Sequence, residues 1–144
     1  MPPASQLLEF FHNHTGLFLA LAVVLVLIVA NEVHGALTGG KRLSALEAVR
    51  LINDRDPLIV DVRPPAEFKR GHLVNAINLP LAKLAERVSE LGKDKNRPLL
   101  LVCTLGSSSA DASRQLRALG FTEAYPLRGG LNAWLSQNLP VTTK

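Results

Sequence analysis

Cys103 is the only cysteine of the chain, and the residues that follow it suggest a reactive thiol. Small side chains and one glycine let a loop curl until its backbone N–H groups converge, and such a ring of amides stabilises the negative charge of a thiolate. The candidate loop amides are those of Thr104, Leu105, Gly106, Ser107, Ser108 and Ser109. The alternative is a buried, inert cysteine that acts as a small apolar side chain.

Two other cysteine chemistries are disfavoured by the same residues. A cysteine phosphatase needs an arginine six positions after the cysteine to bind phosphate through two parallel hydrogen bonds, and that position is Ser109. A dithiol redox site or an intrachain disulfide needs a second cysteine, which the sequence lacks. A single free thiol is typical of a reducing compartment.

The elements expected to position this loop alternate between strands and helices. A capping box at Ser44–Glu47 begins a helix, and the apolar run that ends at Cys103 is the strongest strand signal. This alternation predicts an α/β domain with a central parallel sheet. The predicted strands are 58–62, 76–79, 99–103 and 123–127, and the predicted helices are 44–53, 81–91, 107–119 and 130–138.

The N-terminal segment predicts a membrane-spanning helix. Residues 16–30 carry no polar side chain, and the apolar stretch reaches the length of a span when it is extended towards Val33. We therefore predict a short tail (1–15), a transmembrane helix (16–33), a linker (34–42) and the α/β domain (43–144). A cleavable signal peptide is disfavoured because its first region should be basic, and residues 1–15 contain no Lys or Arg.

The charge distribution predicts the orientation of that helix. All 16 basic residues and 10 of the 12 acidic residues follow position 40, so that residues 41–144 carry a net charge of +6. Cytoplasmic flanks of membrane helices are enriched in Lys and Arg, which predicts a single-pass membrane protein with its N-terminus outside and its domain in the cytoplasm. The bases are scattered without interleaved aromatic residues, so nucleic acid is not an expected partner.

Several short motifs, in a fixed order, resemble the rhodanese family of sulfurtransferases. The resemblance covers residues 43–142, and Cys103 falls where that family carries its sulfur-bearing cysteine. The added helix resembles a membrane-anchored, single-domain bacterial subgroup. The motifs are Asp61-Val62-Arg63, Glu67-Phe68, Gly71-His72-Leu73, Ala76-Ile77-Asn78-Leu79-Pro80 and the closing Arg128-Gly129-Gly130-Leu131-Asn132-Ala133-Trp134.

The resemblance implies a three-layer α/β/α fold and a sulfur-transfer reaction. The Cys103 thiolate would take the outer sulfur of a donor such as thiosulfate or a persulfide, and would pass it to a thiol or another nucleophilic acceptor. The amides of residues 104–109 would stabilise the charge on the outer sulfur of the persulfide. We expect neither a cofactor nor a metal, since His12 and His14 lack further ligands nearby.

The loop departs from the commonest family pattern because residues 104–109 include no Arg or Lys. Losing a charged donor should weaken the capture of a small dianion, which predicts poor affinity for thiosulfate. Some active single-domain members carry Ser at the place of Ser108. An alternative function is a catalytically weak, rhodanese-like module that docks on a membrane protein assembly.

Structural roles are expected for the other motif residues. We expect Asp61 to bond loop amides, as an aspartate that closes a strand commonly does, and Arg63 to be structural as well. His72 would pack in a Gly-His turn under the sheet, Glu67 would pair with a nearby base, and Trp134 would contribute to packing.

Overall fold

The computed structural model describes residues 9–10, 12–38 and 40–143, and the chain divides into two compact units at residues 37 and 38. The first unit is built around helix α1 (Thr15–Thr38). Within it, Thr15–Val33 is long and apolar enough to cross a membrane. The helix continues to Thr38, into the segment 34–42 for which a linker is predicted; residues 34–38 contain no proline that would end a helix.

The second unit contains the remaining elements, in an order of alternating strands and helices. They are α2 (Ala45–Arg55), β1 (Leu58–Asp61), α3 (Pro65–Arg70), β2 (His72–Leu73), β3 (Ile77–Asn78), β4 (Leu99–Val102), α4 (Ser107–Ala118), β5 (Ala124–Pro126), α5 (Gly130–Ser136) and β6 (Val141–Thr142). Two short 3₁₀ helices, Leu81–Lys83 and Val88–Leu91, lie between β3 and β4.

The central sheet has the order β3-β1-β4-β5, and every pair in it is parallel. The register pairs Asp61 with Val102 and with Asn78, so the carboxyl ends of β1, β3 and β4 meet at one edge. Leu43 extends this edge by bridging Leu127, which directly follows β5. The predicted α/β fold with a central parallel sheet is confirmed.

Alternation along β4 divides the core between the two faces of the sheet. Leu99 and Leu101 pack with α4 and the 3₁₀ segments, whereas Leu100 and Val102 pack with α2 and α5. Strand β4 is buried along its whole length, as expected for a central parallel strand covered on both faces. Cys103 belongs to the cluster on the α4 face.

The predicted capping box at the start of α2 is confirmed. The Ser44 hydroxyl accepts a hydrogen bond from the Glu47 backbone N–H, and the Ser44 backbone N–H donates to the Glu47 carboxylate at 2.9 Å. That backbone hydrogen bond, together with the Ser44 hydroxyl and Lys41, lowers the pKa of Glu47 to about 2. Leu43, which precedes this box, is held against the end of β5 by its own backbone, which donates to the Pro126 carbonyl at 3.0 Å and accepts from the Arg128 N–H at 2.7 Å.

One local prediction is wrong, and two local structures were not predicted. Residues 81–91 form two 3₁₀ helices rather than one α-helix, because Leu84 and Leu91 reach the core from separate turns and Arg87 leaves helical geometry between them. An isolated helix of that length is marginal, so tertiary packing decides its form. Helix α3 is not among the predicted helices; it starts at Pro65, a position that suits proline. The antiparallel ribbon of β2 and β6 was not expected; each strand has only two residues.

A buried ion pair fixes the chain after β1. Asp61 is fully buried and accepts hydrogen bonds from the backbone N–H and the guanidinium of Arg63, the shortest at 2.6 Å. Arg63 also donates to the Gly71 carbonyl at the end of α3. The Asn78 amide donates to the carbonyls of Asp61 and Arg63. These contacts hold α3 at the carboxyl edge of the sheet.

Candidate active site

Cys103 lies at the carboxyl edge of the sheet, one residue after the end of β4. This edge is where open α/β sheets place their sites. The side chain is only 3% exposed, so its sulfur is held in one environment. The loop from Thr104 to Gly106 leads from the strand into α4, whose first residue is Ser107.

Backbone amides converge on the Cys103 sulfur. The N–H groups of Gly106 and Ser109 donate to Sγ, with N···S distances of 3.0 and 3.3 Å. Within the described part of the chain, the amides of four further loop residues have no hydrogen-bond acceptor. They are Thr104, Leu105, Ser107 and Ser108. The loop therefore offers two donors to the sulfur and four donors to a ligand, and the start of α4 adds its partial positive charge.

The start of α5 holds the loop in this orientation. The backbone N–H of Leu131 donates to the carbonyl of Cys103 at 2.7 Å, and that of Asn132 donates to the carbonyl of Thr104 at 3.2 Å. The N–H and C=O of a trans peptide point in opposite directions. Because both carbonyls are bound to α5, the amides of Thr104 and Leu105 point away from it.

Two glycines make this close approach possible. Gly106 has φ +98°, and a Cβ atom on it would lie 3.0 Å from the Gly129 nitrogen. Gly130 has φ +59°, and a Cβ atom on it would lie 2.3 Å from the Cys103 carbonyl oxygen. Glycine adopts a positive φ without steric cost, and here it also leaves room for a second backbone segment.

The mouth of the site carries one apolar side chain and one acidic contact. Leu105 is 67% exposed, and Thr104 donates from its hydroxyl to a Glu67 carboxylate oxygen at 3.0 Å. The expectation that Glu67 pairs with a base is wrong, since this contact to the loop hydroxyl links α3 to the cysteine loop instead. Sequence reasoning missed this link, because nothing in the spacing of the two residues shows it.

The remaining motif residues lie around the site in structural contacts. Asp61 bonds the Arg63 amide and guanidinium, and Arg63 is 7% exposed. His72 is buried, stacks on the Phe68 ring at 3.6 Å and lies 2.8 Å from the Phe68 carbonyl through Nδ1. Trp134 is buried on the α5 face, where its indole N–H donates to the Pro140 carbonyl.

The arrangement suits nucleophilic chemistry at sulfur. A thiol with amide donors aimed at it is prepared for attack, and further amides remain for the charge that forms on a transferred group. Among the described residues, no group of three or more His, Cys, Asp or Glu side chains could hold a metal ion.

Comparison with known families gives one match, to the rhodanese-like domain, over residues 44–137. These residues include every element from α2 to α5 and the whole cysteine loop.

Similar proteins include sulfurtransferases. Protein YibN of Escherichia coli K12 is 31% identical over 137 residues, which cover 94% of this chain and 96% of YibN. The thiosulfate sulfurtransferase GlpE of Coxiella burnetii is 39% identical over 65% of this chain and 86% of its own. The solved structure of the polysulfide-sulfur transferase homodimer of Wolinella succinogenes is 26% identical, with a TM-score of 0.66 over 81% of this chain and 89% of its own.

The contact between Gly130 and the cysteine loop predicts a sharp effect of Gly130→Ala. The new methyl group would overlap the Cys103 and Thr104 carbonyl groups, which are backbone atoms that cannot turn aside. We expect a loss of about 1–3 kcal/mol from this overlap, in addition to the cost of a positive φ. Thermal unfolding followed by Trp134 fluorescence and the alkylation rate of Cys103 measure the effect.

Gly92→Ala is the matched control for that variant. Gly92 also has a positive φ, +88°, but a Cβ atom on it would have open space around it. With ψ 174°, Gly92 lies in a region that essentially only glycine adopts, so this control carries a conformational cost alone, about 1–3 kcal/mol. Equal losses in the two variants, with unchanged Cys103 alkylation in both, would show that the close packing of Gly130 is not required.

Proposed function

The chain belongs to the rhodanese-like domain family, and we propose that it is a sulfurtransferase in which Cys103 carries the transferred sulfur. The observation that supports this proposal most directly is the pair of amide hydrogen bonds from Gly106 and Ser109 to the Cys103 sulfur. The sulfurtransferase names of GlpE and the Wolinella protein support the same reaction class.

The proposed reaction has two half-reactions. In the first, the Cys103 thiolate attacks the outer sulfur of a donor, the bond between that sulfur and the rest of the donor breaks, and the donor leaves with the electron pair. In the second, the thiolate of an acceptor attacks the outer sulfur of the persulfide. The sulfur–sulfur bond to Cys103 breaks, its electron pair returns to Sγ, and the acceptor leaves as a persulfide.

The loop amides suit the intermediate of this reaction. The outer sulfur of a persulfide lies one bond beyond Sγ and carries its negative charge. Gly106 and Ser109 hold Sγ itself, and the amides of residues such as Thr104 and Leu105 are without other acceptors in the described chain. Amides fixed before the reaction stabilise this charge without reorganisation.

The charge of the loop bears on the donor. Residues 104–109 contain no Lys or Arg, and the nearest acidic contact is Glu67 on Thr104. A dianion such as thiosulfate would therefore bind through amide hydrogen bonds without a paired cation. We propose that the physiological donor is a persulfide or polysulfide and that the acceptor is a thiol.

We also propose that helix α1 anchors the protein in a bacterial inner membrane, with the catalytic unit in the cytoplasm. Its apolar stretch, Thr15–Val33, has the length of a membrane span, and the first basic residues of the chain follow it at Lys41 and Arg42. The similarity to YibN extends over 94% of the chain, so it continues into the residues that precede the rhodanese-like domain.

A mass measurement tests the sulfur-carrying role of Cys103. The full chain in detergent micelles, incubated with thiosulfate or inorganic polysulfide and then desalted, should gain one sulfur atom that a reducing thiol removes. Cys103→Ser should gain none. A wild-type chain that gains no sulfur, or a Cys103→Ser chain that gains as much, would contradict the proposal and favour a catalytically weak interaction module.

Thiosulfate kinetics test the effect of the uncharged loop. We expect a thiosulfate Michaelis constant of about 1 mM or higher, the upper end of the usual range. Leu105→Arg should lower it about tenfold, since one charge-assisted hydrogen bond supplies roughly that discrimination. The control is Leu46→Arg, which adds the same charge at an exposed leucine that lies on α2 instead of the cysteine loop. A micromolar constant for the unmodified chain would refute this prediction.

Labelling of single cysteines tests the membrane topology. In a Cys103→Ser background, Leu46→Cys should react with a membrane-impermeant maleimide only after the cells are permeabilised, because Leu46 is 61% exposed on the catalytic unit. Ser5→Cys should react in intact cells, and intact mass should show that the N-terminal segment is retained. Labelling of Leu46→Cys in intact cells would indicate the opposite orientation. Loss of the N-terminal segment would indicate a cleaved signal.

A further inference from the structure

The side chain of Ser109 is fully buried beside the Cys103 sulfur, and the reaction above uses only its backbone amide. The Ser109 Oγ lies 3.5 Å from Cys103 Sγ and 3.1 Å from the carbonyl oxygen of Gly106. Ser109 is the third residue of α4, so its backbone is fixed by the helix. The hydroxyl can therefore donate either to Sγ or to the Gly106 carbonyl when its hydrogen rotates, without any movement of heavy atoms.

The protonation state of the sulfur decides which partner the hydroxyl takes. A hydroxyl has one hydrogen to donate and two lone pairs that accept. When Cys103 is a thiol, its S–H donates to Oγ and the hydroxyl donates to the Gly106 carbonyl. A thiolate has no hydrogen, so the hydroxyl must turn and donate to the sulfur. The Gly106 carbonyl keeps a donor in that state, the Ala110 backbone N–H at 3.4 Å.

The strength of these hydrogen bonds favours the turn. A hydrogen bond to an ionised acceptor is roughly twice as strong as one between neutral groups. The hydroxyl therefore gains by leaving the Gly106 carbonyl when Sγ becomes charged, and it gains by returning when Sγ is neutral. Both positions are available because Oγ is within reach of both acceptors.

We propose that the Ser109 hydroxyl is a switchable donor that follows the charge on the Cys103 sulfur during sulfur transfer, an inference that rests on the proposed function. It donates to Sγ in the thiolate form. It returns to the Gly106 carbonyl when Sγ becomes the neutral inner sulfur of the persulfide. When the acceptor attacks, the electron pair of the broken sulfur–sulfur bond returns to Sγ, and the hydroxyl donates to it again.

This switch affects the two half-reactions differently. A stabilised thiolate is more abundant at neutral pH and is a better leaving group, but each thiolate is a weaker nucleophile. The loading of sulfur on Cys103 therefore combines two opposing effects, whereas its release to an acceptor benefits from the stabilised leaving group. A residue that only supported the fold would not produce this asymmetry.

Alkylation of Cys103 by iodoacetamide provides a test that needs no sulfur donor. With the full chain in detergent micelles, Ser109→Ala should react about threefold more slowly than wild type at pH 7, because about tenfold fewer thiolates outweigh a threefold gain in reactivity. At higher pH, where the rates of both proteins no longer rise with pH, the variant should react about threefold faster. The two rate-against-pH curves should therefore cross.

Two variants separate the hydroxyl effect from a loss of packing. Ser113→Ala removes another fully buried hydroxyl of α4, one that donates to the Ala124 carbonyl at 2.9 Å, and its curve should overlay that of wild type. Ser109→Thr keeps the hydroxyl and should restore the wild-type order of rates. A Ser109→Ala curve that coincides with wild type, or that lies on the same side of it at both pH values, overturns the proposal.

Single-turnover kinetics then link the hydroxyl to sulfur transfer. Where the alkylation rates of both proteins no longer rise with pH, Ser109→Ala should load sulfur from polysulfide about threefold faster than wild type and release it to 2-mercaptoethanol about threefold more slowly, so that the persulfide accumulates. Equal slowing of both steps would overturn the proposal. A wild-type chain that loads no sulfur would instead refute the proposed function, and the alkylation curves would still decide the role of the hydroxyl.

Discussion

The hydrogen bonds from the start of α5 to the carbonyls of Cys103 and Thr104 are the contacts on which the site depends. They fix two successive peptide planes, so that the N–H groups of Thr104 and Leu105, at the opposite edges of those planes, point away from α5. A loop without such contacts would turn its carbonyls freely, and carbonyl oxygens near Sγ would disfavour a negative charge. The chemistry of β4 and α4 is thus set by a segment that follows them in sequence.

The electrostatics of the site come from dipoles rather than from side-chain charges. The loop holds no Lys or Arg, and the buried guanidinium near this edge, that of Arg63, is neutralised by Asp61 at 2.6 Å. A buried ion pair of this kind positions backbone, here the end of α3 through the Gly71 carbonyl, more than it supplies a field to a substrate. Amide donors remain, and they suit a single, diffuse charge on sulfur better than a dianion.

The sequence was sufficient for the fold because its signals agree with one another. The run that ends at Cys103, the capping box at Ser44 and the Gly-Gly pair after Arg128 each specify one local structure, and tertiary packing keeps it. Residues 81–91 show the opposite case: the leucine spacing fits a helix, but the core takes Leu84 and Leu91 from separate turns. Contacts between distant residues, such as Thr104 with Glu67, leave no local pattern at all.

The contacts on either side of residues 127–130 explain why two adjacent glycines follow Arg128. On one side, the Arg128 amide donates to the Leu43 carbonyl at 2.7 Å and ties the entry of the domain to the end of β5. On the other side, Gly130 packs against the carbonyl groups of Cys103 and Thr104, and a Cβ atom on Gly129 would lie 2.7 Å from the Ala133 side chain. A chain held between two backbone segments has no room for Cβ atoms and must turn through positive φ values, which glycine alone adopts at little cost. The geometry of the thiol is therefore built into the same four residues that join Leu43 to the sheet.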